Sequence, residues 1–330
     1  MLGPLISIII PVYNGQSFLK RCFSTLEKQN YSNLEIIFID NNSNDNSKEI
    51  IQNYCKDKKN WKIINCLKQG PGFARNKGLN EAKGKYISFL DIDDEIHPDK
   101  HDILLDKLIN NPELNIVIGQ TEKKFENEST QTIDYGSLKY GLNKAPDPAM
   151  LWLQQFQHQP HISSALIKRE VLSKHYHFPE NILYGEDGGF LVKIGMNEDI
   201  FIIENIVHTY YRHDASAVSF ANQIMSRRER YFEFYEKFAL PYFFNNLNIK
   251  SHKFAFRLSE YEAFKILIKL IYEEGKSKYH ASLQKQNLNY RLHLFKRIRG
   301  VLFSYFPFKF AYYTYIKIVS IYFHINNELH

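Results

Sequence analysis

Cysteine is scarce in this sequence. The 330 residues include only 3 cysteines, Cys22, Cys55 and Cys66, and no two of them have the C-x-x-C spacing that is typical of zinc sites. A small, odd number of cysteines without a pairing pattern favours a reducing compartment over an oxidising one. The sequence therefore predicts a reducing environment and no zinc centre.

Long uninterrupted apolar runs are absent from the aromatic-rich end of the chain. Between residues 291 and 323, Lys309 and Lys317 interrupt the apolar sequence and Pro307 breaks it, so no run approaches the roughly 18 residues of a membrane-spanning helix. The early apolar stretch Leu5 to Val12 has neither a basic flank nor a small-residue cleavage site, so we interpret it as a strand and not as a signal peptide. These features predict a cytoplasmic protein, with peripheral binding to the inner face of the cell membrane left open.

The composition lacks the bias of a disordered chain, since 24% of the residues are charged and 44% are hydrophobic. The net charge of +6 is unevenly distributed, because the chain from Lys250 onward carries 14 Lys and Arg residues against 5 Glu residues. A basic, aromatic-rich end fits either an anionic membrane surface or packing on the rest of the chain or on a second copy, as a homo-oligomer. Nucleic acid is disfavoured, because no binding motif accompanies the charge.

Strand and helix patterns alternate through the first hundred residues. Short β-rich apolar runs predict buried strands, and apolar residues at helical spacing predict the helices between them, with Ser17 as a cap. The predicted strands are 6–12, 34–39, 62–66 and 86–90, and the predicted helices are 18–26, 50–54 and 73–82. This order predicts an α/β fold with a doubly wound, mostly parallel sheet, in which ligands bind beyond the carboxyl ends of the strands.

The tetrad Asp91-Ile92-Asp93-Asp94 directly follows the fourth predicted strand. Three carboxylates at the end of a buried strand repel one another unless a divalent cation or a hydrogen-bonding polyol neutralises them. Mg²⁺ or Mn²⁺ carrying a phosphorylated substrate suits such ligands. The alternative is a solvated acidic turn in which Asp94 or Asp99 caps the next helix.

Five motifs together resemble the family 2 glycosyltransferases with a GT-A fold. They are Ser7-Ile8-Ile9-Ile10-Pro11-Val12-Tyr13-Asn14, Ile39-Asp40-Asn41-Asn42-Ser43, Gly70 with Ala74-Arg75-Asn76, Phe89-Leu90-Asp91-Ile92-Asp93-Asp94, and Tyr184-Gly185-Glu186-Asp187. The resemblance covers about residues 5–215. It implies a catalytic domain over residues 1–220 and a helical, basic and aromatic C-terminal region over residues 221–330.

The resemblance implies a nucleotide-sugar site at the strand ends. A tyrosine can stack on a nucleobase, and a carboxylate can accept a hydrogen bond from its ring N–H. Where the family usually has a second acidic residue this chain has Asn41, which both donates and accepts, so a UDP-sugar is expected without excluding another base. The implied donor-binding residues are Pro11, Tyr13, Asn14, Asp40, Asn41, Gly70, Arg75, Asp91, Ile92, Asp93, Asp94 and Arg212.

By the same resemblance, the tetrad divides its roles around Mn²⁺ or Mg²⁺. Asp91 contacts ribose or metal, Asp93 lies at the metal and the diphosphate, and Asp94 supports the site or approaches the donor sugar. Downstream, Arg212 or His213 is expected to contact phosphate, with His213 as a further metal ligand. A histidine in a turn is alternatively only polar surface.

A second acidic motif, Tyr184-Gly185-Glu186-Asp187, opens a predicted helix. Carboxylates in a first turn are favoured by the helix dipole, which is one interpretation. The resemblance implies another, in which Asp187 is the general base that takes the acceptor hydroxyl's proton and Glu186 orients the acceptor. Attack opposite the leaving diphosphate inverts the anomeric centre.

The resemblance thus implies an inverting, metal-dependent hexosyltransferase of cell-surface polysaccharide or lipopolysaccharide synthesis, acting on a glycan or lipid-linked acceptor. Residues 122–148 are predicted to be irregular and acceptor-facing. Two alternatives are a nucleotidyltransferase, which Asn14-Gly15-Gln16 disfavours because it lacks the expected Gly-rich basic loop, and a non-catalytic glycan-binding or scaffold module.

Overall fold

The structure is a computed structural model, and it describes residues 3–125, 129–172, 176–182, 184–212 and 225–274. The chain divides into two compact units, residues 1–224 and 225–330. The first contains the sheet and all five motifs, and the second is helical in its described part.

The first unit is built on a sheet with helices between its strands. The strands are β1 (Ile6–Val12), β2 (Leu34–Asp40), β3 (Trp61–Asn65), β4 (Tyr86–Phe89), β5 (Glu95–Ile96), β6 (Ile116–Lys124), β7 (Thr130–Thr132), β8 (Gly141–Asn143), β9 (Ala165–Lys168) and β10 (Ile200–Tyr211). The helices are α1 (Leu19–Glu27), α2 (Ser47–Cys55), α3 (Pro71–Glu81), α4 (Lys100–Asn110), α5 (Asp147–Gln154) and α6 (Glu186–Gly195).

The strand order is β3-β2-β1-β4-β9-β6-β10-β5, with β7 on β6 and β8 on β10. The pairs β3–β2, β2–β1 and β1–β4 are parallel, whereas β9 runs antiparallel to β4 and β6. Val12 pairs with Asp40, and Asp40 with Asn65. The carboxyl ends of β1, β2 and β3 therefore lie side by side, which places their loops at one edge.

Burial explains why these segments form strands. Every residue of β2 is buried, and β1 is buried except at Pro11, as expected for central strands covered on both faces. Helix α1 contributes Leu19, Cys22, Phe23 and Leu26 to one core cluster, while α3 packs Ala74 and Gly78 on the other side of β1.

The predicted fold is confirmed, and so are the early strands and helices, within a few residues at their ends. The predicted cap Ser17 is wrong, because Phe18 precedes α1. The alternative of a solvated acidic turn is also wrong: Asp99 is at the N-cap position of α4 but makes no side-chain capping hydrogen bond, and Asp94 is buried against His208 and Tyr211. The prediction of an irregular segment 122–148 is wrong in part, because the end of β6 and strands β7 and β8 lie there.

The second unit contains three helices in its described part, α7 (Arg227–Phe234), α8 (Leu240–Phe244) and α9 (Lys250–Glu274), and a π-helical turn joins α7 to α8. Ser226 and Glu229 form a reciprocal capping box at the start of α7. Helical structure was predicted over most of these residues, and the aromatic stretch 291–323 lies outside the described residues. No helix in the described part of the chain is long and apolar enough to span a membrane.

Gly78 is predicted to be required for the packing of α3 on β1. A Cβ at this position would lie 2.3 Å from the Cγ2 of Ile9, which is fully buried. We expect Gly78→Ala to lower the free energy of unfolding by about 1–3 kcal/mol, even though alanine favours the helix. Urea unfolding checks this, with the exposed Asn80→Ala in the same helix as control; equal stability of the two variants would contradict it.

Candidate functional site

The loops after β1 and β2 are joined by hydrogen bonds. The backbone N–H of Asn14 donates to Ser43 Oγ at 3.1 Å, and that of Asn44 donates to Asn14 Oδ1 at 2.8 Å. The N–H of Gly15 donates to Ser47 Oγ at 2.9 Å. Side chains from one loop thus satisfy the backbone of the other, and the two loops form one preorganised surface.

Asn41 connects the loop after β2 to the loop after β3. Its amide donates to the carbonyl oxygens of Cys66 and Lys68 at 3.2 and 2.7 Å and accepts from the Gly70 N–H at 2.7 Å. Gly70 has a φ of 137°, which requires glycine. A carboxylate at position 41 could not donate to the two carbonyls. Asn41 therefore has a structural role here that its sequence context did not indicate.

The other predicted nucleobase residues surround this surface. Asp40 is 4% exposed and accepts from the Ser43 N–H at 3.3 Å, while Pro11 pairs in register with Ile39. Tyr13 is 48% exposed, so its ring is free to stack on a planar ligand. The structure thus places Tyr13, Asp40 and Asn41 on adjoining loops at one sheet edge.

Arg75 joins the two acidic motifs. Its guanidinium binds Asp91 Oδ1 through Nη2 at 2.6 Å and Glu186 Oε1 through Nη1. The Arg75 side chain is only 5% exposed, and it also lies over the ring of Phe178 at 5.4 Å. One buried cation therefore brings the tetrad and the Glu186-Asp187 motif together from distant parts of the chain.

The pKa values of Arg75 and Glu186 each depend on the charge of the other. Burial lowers the pKa of Arg75, but Asp91, Glu186 and Asp187 more than offset this and raise it above its ordinary value. Burial raises the pKa of Glu186, Asp187 adds to this, and the Arg75 cation opposes it. Removing the guanidinium would leave a buried carboxylate without its counter-charge, which is costly.

The acidic motif enters α6 through a glycine turn. Gly185 has a φ of 84°, so a residue without a side chain is needed to point the following carboxylates into the site. Asp187 is half-buried, and its Oδ1 accepts from the Gly188 N–H at 2.7 Å. Both predicted catalytic residues thus lie in the first turn of α6, beside the positive end of its dipole.

Asp94 is a structural member of the tetrad in this fold. It is 1% exposed, its Oδ2 lies 3.0 Å from His208 Nε2, and its Oδ1 accepts from the Tyr211 N–H at 3.1 Å. Burial and the charges of Asp93 and Asp91 raise its pKa well above the ordinary value, while burial keeps that of His208 well below it. The pair therefore anchors the tetrad to β10.

Two side chains, those of Arg21 and Ser163, form hydrogen bonds with the backbone of the tetrad. Arg21 donates to the Asp93 carbonyl oxygen, and its guanidinium stacks on Tyr211 at 4.0 Å. The Asp91 N–H donates to Ser163 Oγ at 3.2 Å. Ile92 is buried at 9% exposure and Asp94 at 1%, whereas Asp91 and Asp93 are half-buried, so the tetrad alternates core-facing and more accessible side chains.

Lys100 lies beneath the same strand end, fully buried in the core. Its Nζ donates to Ser88 Oγ at 2.8 Å and to the Ser163 carbonyl oxygen at 2.6 Å. No carboxylate forms an ion pair with Lys100 among the described residues, and burial lowers its pKa to about 7. Lys100 thus connects β4 to the residue that holds Asp91.

On the other side of the tetrad lies a group of β10 residues and His161. The His161 ring lies 4.5 Å from that of Tyr210. Burial, Asp94 and Asp93 raise the pKa of Tyr210 to about 12, whereas Arg212 lowers it. Arg212 is exposed and lies over Phe125 at 5.9 Å, within electrostatic range of this group. His213 lies outside the described residues.

The predicted site residues that the structure describes thus converge on one edge of the first unit, but the sequence did not indicate which other side chains hold them in place. Arg21, Lys100, His161, Ser163 and His208 were missed, because each acts through contacts distant in sequence. The run of acids at 91–94 could have indicated nearby buried cations. It could not identify which lysine or arginine supplies them.

A mostly parallel sheet with acidic side chains gathered beyond its strand ends is the architecture of the GT-A class of fold. The model of the family described as glycosyl transferase family 2 matches residues 7–176. The chain belongs to this family, as its motifs predicted.

Curated relatives cover parts of the chain. An uncharacterised glycosyltransferase of Haemophilus influenzae is 46% identical over 109 residues, which are 33% of this chain and 44% of the relative. A Campylobacter jejuni GalNAc(5)-diNAcBac-PP-undecaprenol beta-1,3-glucosyltransferase is 39% identical over 95 residues, 28% of this chain and 31% of the relative. The chain spans less than half the length of these relatives.

Solved structures resemble the fold over most of the chain. Staphylococcus aureus TarS residues 1–349 with UDP-GlcNAc superposes with a TM-score of 0.59 at 17% identity, covering 90% of this chain and 80% of that one. The mannosyltransferase PcManGT of Pyrobaculum calidifontis, with GDP-Man and Mn²⁺, gives 0.52 at 16% identity, covering 98% and 87%. At these identities the likeness shows the fold alone.

Replacing Lys100 should change how stability depends on pH. The folded-state pKa near 7 lies below the ordinary lysine pKa of 10.5, so between these values the unfolded chain binds a proton that the folded chain does not. Stability from this group therefore rises with pH. From pH 7 to 9.5, the unfolding free energy of wild type relative to Lys100→Met should rise by about 3 kcal/mol.

Urea unfolding at several pH values measures this difference. Lys59→Met, at an exposed position, makes the same chemical change without burial. A constant difference between wild type and Lys100→Met across this pH range would show that Lys100 is not a buried base.

Proposed function

We propose that this protein is an inverting, metal-dependent glycosyltransferase that moves a sugar from a nucleoside diphosphate donor to a hydroxyl group of a glycan or lipid-linked acceptor. The observation that carries the proposal is the contact of Arg75 with both Asp91 and Glu186. It brings a donor-side acidic motif and an acceptor-side acidic motif to one cleft, as transfer between two substrates requires.

The joined loops after β1, β2 and β3 form the nucleoside site in this proposal. The Asn41 amide is already hydrogen-bonded to Cys66, Lys68 and Gly70. The exposed Tyr13 ring and the Asp40 carboxylate therefore recognise the base in this proposal. A carboxylate that accepts from a ring N–H suits uracil, and we propose a UDP-sugar as donor. TarS, whose fold is similar, was solved with UDP-GlcNAc.

The residues present fit a divalent cation that arrives with the donor. No group of three His, Cys, Asp or Glu side chains is placed to hold a metal among the described residues. Mg²⁺ and Mn²⁺ are commonly bound by one or two carboxylates plus substrate phosphates, which Asp91 and Asp93 would supply with the diphosphate. Bound there, the ion would neutralise negative charge on the departing diphosphate.

Asp187 is the general base in this proposal. The neighbouring Glu186 is occupied by Arg75, so Glu186 positions the loop and Asp187 is left to face the acceptor. Asp187 would take the proton from the acceptor hydroxyl as that oxygen attacks the anomeric carbon. Attack opposite the bond to the departing diphosphate inverts the anomeric centre, and no covalent sugar–protein intermediate forms.

We further propose that the acceptor belongs to cell-surface polysaccharide or lipopolysaccharide synthesis, with residues 1–220 as catalytic domain and residues 221–330 as a membrane-surface or oligomer contact. The similar Campylobacter jejuni protein acts, by its name, on an undecaprenol-linked glycan. The excess of Lys and Arg after residue 250 suits an anionic surface.

Nucleotide binding should stabilise the protein in a metal-dependent way. With UDP and Mn²⁺ at 100 times the dissociation constant, we expect about 2.7 kcal/mol of added stability, measured as a rise of several degrees in Tm. The Asp93→Asn variant should lose most of the Mn²⁺-dependent part. GDP, CDP and ADP provide the comparison, and no response to any nucleotide would contradict the proposed donor.

Removing the proposed base should abolish transfer without abolishing donor binding. In Asp187→Asn we expect the rate of UDP release in the presence of acceptor to fall by about 10²–10⁴-fold. UDP affinity by calorimetry should stay within about twofold, because Asp187 faces the acceptor. Asp102→Asn, at an exposed position in the first turn of α4, is the matched control. Unchanged transfer in Asp187→Asn would exclude it as the base.

A further inference from the structure

A second cleft lies at the end of the sheet opposite the tetrad. It has a volume of about 870 Å³ and is lined by the residues just before β4 and just after β9. The cleft residue Lys85 precedes β4 and Asp91 follows it, which at about 3.3 Å per residue puts them roughly 20 Å apart. A donor diphosphate held at the tetrad would not reach this cleft.

Positive charge dominates the lining of this second cleft. Among the described lining residues, Glu170 alone carries a carboxylate. Two acidic residues nearby are already in ion pairs, Glu35 with Lys62 and Glu81 with Lys77. Within the described parts of the chain, none of the four lining lysines and arginines forms an ion pair. The basic side chains are Lys83, Lys85, Lys168, Arg169 and His177.

Two of these cations are held in place by backbone carbonyl groups. Arg169 Nη1 donates to the Ala82 carbonyl oxygen at 2.7 Å, and Lys168 Nζ donates to that of Pro112 at 2.5 Å. These contacts orient the side chains without neutralising their charge. Arg169 keeps other N–H groups, and Lys83 and Lys85 are exposed.

Like charges gathered in a concave surface repel one another, and an anion that enters between them is attracted by all of them. Oriented arginine and lysine side chains are the usual partners of phosphate oxygens, since charge-assisted hydrogen bonds are the stronger ones. The cleft volume falls within the range of small-molecule sites.

We propose that this cleft binds a phosphate-bearing anion at a site separate from the nucleotide-sugar site. Its phosphate comes either from a soluble phosphorylated molecule or from an acidic lipid headgroup, both of which offer the same chemistry. The site does not depend on the proposed transfer reaction, so it can be tested without knowing the sugar or the acceptor.

Isothermal titration calorimetry with pyrophosphate tests the soluble source, on the full chain in EDTA so that no metal recruits the ligand to the tetrad. Flotation with vesicles of phosphatidylglycerol, compared with phosphatidylcholine alone, tests the lipid source. We expect wild type to bind at least one anionic probe, and Lys83→Gln/Lys85→Gln to weaken that binding about tenfold or more, because two charge-assisted contacts are lost.

The control variant Lys56→Gln/Lys59→Gln removes the same two charges from exposed positions after α2. It should bind as wild type does. Failure of wild type to bind either probe would overturn the proposal. So would equal weakening in the two variants, because the attraction would then come from net charge and not from the cleft. Lys83 and Lys85 are exposed, and an unchanged Tm verifies that their substitution leaves the fold intact.

Discussion

The buried contact between Arg75 and two carboxylates is the constraint on which the site depends. Asp91 follows β4 and Glu186 begins α6. The Arg75 side chain, which is 5% exposed, binds both of them. A buried charge is tolerated only when it is paired and hydrogen-bonded. The fold therefore cannot separate the two acidic motifs without leaving charges uncompensated, and this fixes the tetrad and the start of α6 relative to each other.

The acids of the tetrad have different roles because they have different surroundings. Asp94 is buried against His208 and the β10 backbone, so it fixes the loop, while Asp91 and Asp93 remain only half-buried. Lys100 holds Ser163, and Ser163 accepts from the Asp91 N–H. The buried Lys100 and Ser163 thus set the position of the Asp91 backbone at the end of β4.

The sequence predicted the parts of this structure that depend on local patterns. Apolar runs predicted β1 to β4, and the strand-end motifs predicted side chains that lie at one edge of the sheet, because parallel strands bring their carboxyl ends to one edge. Contacts between distant residues were not predictable: Arg75 and Glu186 are 111 positions apart. In the sequence, Asn41 looks like an ordinary turn residue, although its amide bonds to the neighbouring loop. Lys100 looks like an ordinary lysine in the first turn of a helix, although it is buried. The short polar strands β7 and β8 lack an apolar pattern.

The central claim is that Arg75 and Glu186 stabilise each other at the junction of the two motifs. A double-mutant cycle of Arg75→Met and Glu186→Gln, measured by urea unfolding, tests it most directly. The account predicts that Arg75→Met alone costs about 3–5 kcal/mol and that the double variant recovers at least about 1 kcal/mol of the summed single losses. Strict additivity of the two losses would contradict it.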